Sequence, residues 1–173
     1  LARRILSFSG PITSALELGC GSASTLAHLE RMTGAMCYGV DRCREIVTIA
    51  RREYPNITLH TRDIFDLPYQ KKSFDVVYSV GLLEHFPHPE QLALLRIHIT
   101  LARKAIVLMA PADSLLMRTI HFYNKTMRAR TGNWADEELF SQRLLTQKFP
   151  SYAFHAFKDP LFANLCLWFG RRP

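Results

Sequence analysis

The 173-residue sequence predicts an α/β fold, a doubly wound parallel sheet completed by an antiparallel strand near its carboxyl terminus. Three observations predict it. Apolar runs of strand length alternate with segments of helical period from residue 14 to about residue 110. Two of those runs, "FDVVYSV" (74–80) and "KAIVLMA" (104–110), are near-continuously apolar, as expected of central parallel strands buried on both faces. The chain then closes on two apolar segments, "SYAFHAF" and "LFANLCLWFG", split by the turn-like "KDP", which together read as a hairpin.

Taken in order, "ALELGCGSAS" (15–24) gives the first strand, over 14–19, and a sharp turn through Gly19 and Gly21. Ser22 or Ser24 is placed to cap the helix at 23–32. A second strand at 36–41 ends in Asp41, and a helix at 43–53 sets Ile46, Ile49 and Ala50 on one face to cover the sheet. Strands at 57–62, 74–80 and 104–110 complete the parallel set, with a helix at 90–101 before the last of them. After Pro111 the rhythm breaks. Residues 112–135 form an amphipathic, basic and aromatic insertion, and "DEELFSQRLLTQKF" is a helix with acids in its favourable first turn.

The bulk properties bound the function without naming it. Length and a 48% hydrophobic content suit one domain with its own core, spanning 1–173, and no apolar run approaches the length of a bilayer span. The start, "LARRILSFSGP", lacks the apolar core of a secretory signal, and without an initiating methionine a fragment or a trimmed chain is expected. Cys20, Cys37, Cys43 and Cys166 show neither paired nor zinc-ligand spacing, which fits reduced thiols in a cytoplasmic protein. The net charge of +7 is spread over scattered basic residues, a solvated surface more than a nucleic-acid face. His85 and His88 have helical metal spacing, but Pro87 between them prevents the helix that would align them, so no metal site is expected.

A strand, a glycine turn and a helix present backbone N–H groups to a nucleotide-like ligand. An acid about twenty residues further on, here Asp41, suits the hydroxyls of a ribose. These features alone do not separate a nicotinamide dinucleotide from S-adenosylmethionine.

Downstream, "RDIFDLP" comes after the third strand and "SFDVVYSVGLLEHFPHP" contains the fourth. With these segments the sequence resembles the class I S-adenosylmethionine-dependent methyltransferases, in particular their small-molecule group, from about Leu16 to Pro111. The resemblance implies a Rossmann-like sheet of seven strands and S-adenosylmethionine as cofactor, leaving as S-adenosylhomocysteine. It implies that Glu17, Gly19 and Gly21 form the turn that holds the methionine portion, and that Asp41 binds the ribose. Asp63 would accept from the adenine amino group, with the Ile64 amide facing a ring nitrogen. Ser79 and Val80 would lie beside the cofactor's amino acid and methyl group, and Glu84 and His85 near the reaction centre. Two positions depart from the family pattern: Ala23 replaces a third glycine, and Arg42 stands where an apolar residue packs on the adenine, a role its planar guanidinium can fill by stacking.

Methyl transfer asks mainly for alignment and exclusion of water. His85 is the candidate general base, because imidazole titrates near neutrality. Residues 112–135 are expected to act as a lid that chooses the acceptor, and His121, Tyr123 and His155 are candidate substrate-side groups. The motifs of DNA-adenine and protein-arginine methylation are missing, so the expected acceptor is a small molecule, lipophilic or anionic. Two rival readings keep part of the pattern: a catalytically silent cofactor-binding or partner-binding module, and a nicotinamide-dependent oxidoreductase. The oligomeric state is not legible.

Overall fold

A computed structural model describes residues 1–111, 118–119, 122–123, 147–158 and 165–171. Its seven-stranded sheet has the order β3-β2-β1-β4-β5-β7-β6. The strands are β1 (Ser14–Leu18), β2 (Met36–Asp41), β3 (Thr58–Thr61), β4 (Phe74–Val80), β5 (Ala102–Pro111), β6 (Ala153–Lys158) and β7 (Leu165–Arg171). The first five pair in parallel, whereas β7 runs antiparallel between β5 and β6. The predicted architecture, including the terminal hairpin, is therefore the observed one. The lid region and the helix after it lie, apart from isolated residues, outside the described residues.

Side-chain alternation along β1 divides the core between the two faces of the sheet. Ala15 shares one apolar cluster with Leu26 and Leu29 of α2 (Ser24–Thr33) and Val47 and Ala50 of α3 (Arg44–Glu53). Leu16 and Leu18 share the other with Leu94, Leu95 and Leu101 of α4 (His88–Leu101). In α3 the buried face is Val47 and Ala50 with Ile46 at its margin. Ile49, expected on that face, is 62% exposed, because the helix is turned so that Val47 meets the sheet.

Two local features differ from the sequence expectation. Residues Ala2–Ser9 form a helix, α1, which the sequence pattern does not single out. Ala2 and Ile5 are buried against the α2 side of the sheet, and Phe8 packs on Phe169 of β7 at 5.1 Å between ring centroids. Neither Ser22 nor Ser24 caps α2. Ala23 occupies the cap position in the left-handed region (φ 59°), and its N–H donates to the Cys20 carbonyl at 2.8 Å. Alanine tolerates that conformation at a cost of about 1 kcal/mol; the third glycine of the family pattern removes the cost.

Candidate active site

In an open parallel sheet, ligands sit outside the carboxyl ends of the strands where the strand order reverses, here between β1 and β4. A cavity of about 420 Å³ opens there. Its walls come from the turns after four strands: Gly19 after β1, Asp41 and Arg42 at the end of β2, Asp63 to Phe65 after β3, and Gly81, Leu82, His85 and Phe86 after β4, with Glu90 of α4 at the side. The volume falls in the range of small-molecule sites.

Gly19 is required twice over. Its φ of 69° favours glycine, and a Cβ there would stand 2.7 Å from Leu82 Cδ1. The absent side chain lets the β4 loop close over the β1 turn.

Asp41 is more than an expected ribose acceptor. Its Oδ2 accepts the Gly21 N–H and its Oδ1 accepts the Cys43 N–H, both at 2.9 Å. The carboxylate thus pins the glycine turn to the start of α3. Each oxygen keeps a second lone pair for a ligand hydroxyl.

Asp63 accepts the Phe65 N–H on Oδ1 at 2.9 Å, which fixes the turn and leaves Oδ2 for a donor in the cavity. Phe65 meets Phe86 edge-to-face at 5.7 Å, so the loops after β3 and β4 touch through aromatic rings at the cavity wall.

The remaining sequence candidates fall into two groups. Arg42, Ile64 and His85 line the cavity together with Gly19, Asp41 and Asp63. His85 ends a 3-10 turn, Leu83–His85, and is exposed. Phe86 and Pro87 are extended after it, as the proline demands.

Glu17, Gly21, Ser79 and Val80 do not contribute to the wall. Gly21 stands behind it through its bond to Asp41. Ser79 is fully buried, and its hydroxyl donates to His98 Nε2 at 3.2 Å, while His98 Nδ1–H donates to the Leu94 carbonyl at 2.8 Å. Burial holds the imidazole neutral, with its pKa pushed down to about 4. Glu17 is buried beneath the turn, with the hydroxyls of Thr25 and Tyr78 on its carboxyl. His155, a candidate for the substrate side, packs instead against Phe8 of α1 at 5.6 Å.

Leu82, Phe65, Phe86 and Glu90 line the cavity without having been singled out by the motif. The available signal is their position. Phe65 directly succeeds the Asp63–Ile64 pair, Phe86 directly succeeds the Glu84–His85 pair, and Leu82 stands two residues before it.

This geometry fits a nucleoside-cofactor site of the doubly wound α/β class: a turn without side-chain bulk, an acid ending the second strand and an acid after the third. Comparison with known proteins narrows the class. The sequence profile of a methyltransferase domain matches residues 15–104, just over half of the chain. The chain belongs to that family, the class I S-adenosylmethionine-dependent methyltransferases.

Among curated relatives, norajmaline N-methyltransferase of Rauvolfia serpentina is 24% identical over 103 residues, 56% of this chain and 35% of that protein. A ubiquinone biosynthesis O-methyltransferase of Coxiella burnetii is 26% identical over 110 residues, 61% of this chain and 43% of that protein. The chain thus spans well under half the length of these relatives. The fold is shared with magnesium protoporphyrin IX methyltransferase from Synechocystis PCC 6803, solved with bound S-adenosylhomocysteine (TM-score 0.80, 17% identity, 99% of this chain and 80% of the other).

Proposed function

We propose that the chain binds S-adenosylmethionine in this cavity and transfers its methyl group to a small-molecule acceptor, releasing S-adenosylhomocysteine. The observation that carries the reading is the convergence of Gly19, Asp41 and Asp63 with Ile64 in one cavity at the switch point of the sheet. The residues fit the group. A Cβ-free turn admits the methionine end, Asp41 keeps free lone pairs for the ribose, and Asp63 keeps one oxygen for an exocyclic amine. The cofactor, when bound, supplies an electrophilic methyl on a sulfonium whose sulfur leaves with the bonding pair.

The chain's own residues bind, orient and exclude water. Asp41 fixes the ribose while bracing the glycine turn, and Arg42 stacks on the adenine from the exposed side. Leu82 and the Phe65–Phe86 pair withhold water from the cavity wall. His85 takes the proton of an O–H or N–H acceptor on an imidazole nitrogen as the nucleophile attacks. Relatives named for N- and O-methylation support a small acceptor without choosing its nucleophile. Residues 112–135 are proposed as the acceptor-side cover, on composition.

Calorimetric titration with S-adenosylhomocysteine and with a nicotinamide dinucleotide tests the cofactor. Release of S-adenosylhomocysteine over a panel of small acceptors tests turnover. Binding of the dinucleotide alone overturns the reading, and cofactor binding with no turnover on any acceptor favours a silent binding module.

A further inference from the structure

Glu17 sits two residues before the turn glycine and is 2% exposed. Three elements enclose its carboxyl. β1 supplies it, α2 brings the Thr25 hydroxyl between the two oxygens, 2.7 Å from Oε1 and 2.5 Å from Oε2, and β4 brings the Tyr78 hydroxyl to 3.1 Å of Oε2.

Among the described residues, the titratable groups that share its field are all acids: Asp41 at the end of β2, Tyr78 of β4, and the thiols of Cys20 in the turn and Cys37 in β2. Asp75, also buried, offers the contrast, because Arg103 and Lys104 each reach it at 3.3 Å. A carboxylate placed among hydroxyls and other acids is an uncompensated buried charge, which proteins avoid by keeping the proton. Burial, reinforced by Asp41 and only partly offset by the two hydroxyl bonds, pushes the Glu17 pKa up to about 8.

S-adenosylmethionine, the proposed cofactor, carries a sulfonium and an α-ammonium on its methionine end, and its zwitterionic product keeps the ammonium. Resting on that cofactor assignment, we propose that Glu17 reads this positive charge: cofactor binding on the glycine turn breaks the Glu17 O–H bond, the proton leaves to solvent, and the carboxylate formed becomes the buried counter-charge of the methionine end. Thr25 and Tyr78 then donate to a full negative charge, which strengthens both bonds. The cation that the protein itself withholds from this carboxyl is supplied by the ligand.

Binding is therefore proton-linked, with a definite sign. The free site holds the proton up to about pH 8 and the bound site does not, so affinity rises with pH below that value, approaching about tenfold per unit, and stops rising where the ligand's own ammonium begins to lose its proton. A nucleoside without the charged end, such as 5′-methylthioadenosine, leaves the proton in place.

Calorimetry at pH 7 in buffers of different ionisation enthalpy counts protons released per ligand bound, for the wild-type chain and for Glu17→Gln. The ligand's own α-amino group, which titrates near 7.7–8.0, is already mostly protonated at pH 7 and can take up no more than about 0.1–0.2 proton in either protein, so a larger difference belongs to Glu17. The expected difference is about 0.5–1 proton with S-adenosylmethionine and none with 5′-methylthioadenosine. Equal counts in the two proteins overturn the proposal while leaving the cofactor reading intact. Failure of the wild type to bind S-adenosylmethionine or its product overturns that reading instead. If Glu17→Gln does not fold, infrared difference spectra of the wild type decide: loss of a protonated-carboxyl band on adding S-adenosylmethionine is expected, and its persistence refutes the proposal.

Discussion

Replacing Asp41 by alanine probes two separable functions of one side chain. In the free protein its carboxylate accepts the Gly21 and Cys43 N–H groups at 2.9 Å each. Hydrogen bonds to a charged group contribute roughly 1.5–3 kcal/mol when buried, and the half-exposed setting of Asp41 places the pair together at about 3 kcal/mol. For a domain of this size that corresponds to a fall of about 6–12 °C in Tm. In the complex the same carboxylate would also accept from the ribose, a further loss of about 1.5–3 kcal/mol, or roughly 10- to 100-fold in affinity for cofactor and product alike.

Asp41→Asn separates the two. Its amide can keep one acceptor oxygen for the turn, but it turns an NH2 group toward the other backbone N–H. The asparagine variant should therefore lose less Tm than alanine while losing a comparable part of the affinity. Thermal unfolding and calorimetric titration with S-adenosylhomocysteine, on the same preparations, measure both. An Asp41→Ala protein that is folded and binds with unchanged affinity refutes the ribose assignment. One that keeps its Tm refutes the bracing role.

Three further outcomes are expected. His85→Ala should lower turnover by about 10²–10⁴ while leaving S-adenosylmethionine affinity within about threefold; parallel loss of binding and Tm means His85 supports the fold instead. His98 is held neutral in the fold, with a pKa depressed to about 4. The unfolded chain takes up the proton near pH 6.5, so stability should fall by a few kcal/mol as pH drops from about 6.5 to 4. Unfolding profiles that keep the same slope in His98→Gln exclude that residue as the cause. Gly19→Ala should cost about 1–3 kcal/mol of stability, and cofactor affinity with it, because the new Cβ stands 2.7 Å from Leu82 Cδ1. The double variant Gly19→Ala/Leu82→Ala should recover part of the loss, and no recovery argues that backbone strain alone is responsible.

The sheet and the address of the site were legible in the order of residues alone. Parallel strands buried on both faces are mostly apolar, so β4 and β5 are readable, and Gly19, Asp41 and Asp63 mark the ends of successive strands because turns and acids have local requirements. The rest depends on which way a side chain turns. Period-two alternation places Ser79 opposite Tyr78 without saying which face meets α4, and only the packing turns its hydroxyl to His98 and away from the cavity. Val47 and Ile49, two residues apart, stand on opposite sides of α3, and its rotation against the sheet buries the first and exposes the second. The α1 helix has its reason far along the chain, in β7, where Phe8 finds Phe169. The acidic surroundings of Glu17 arise in the same way, from Tyr78 and Asp41 brought beside it by strands distant in sequence. Local pattern sets where the strands end; long-range packing decides what each buried polar group faces, because burial makes every missing partner costly.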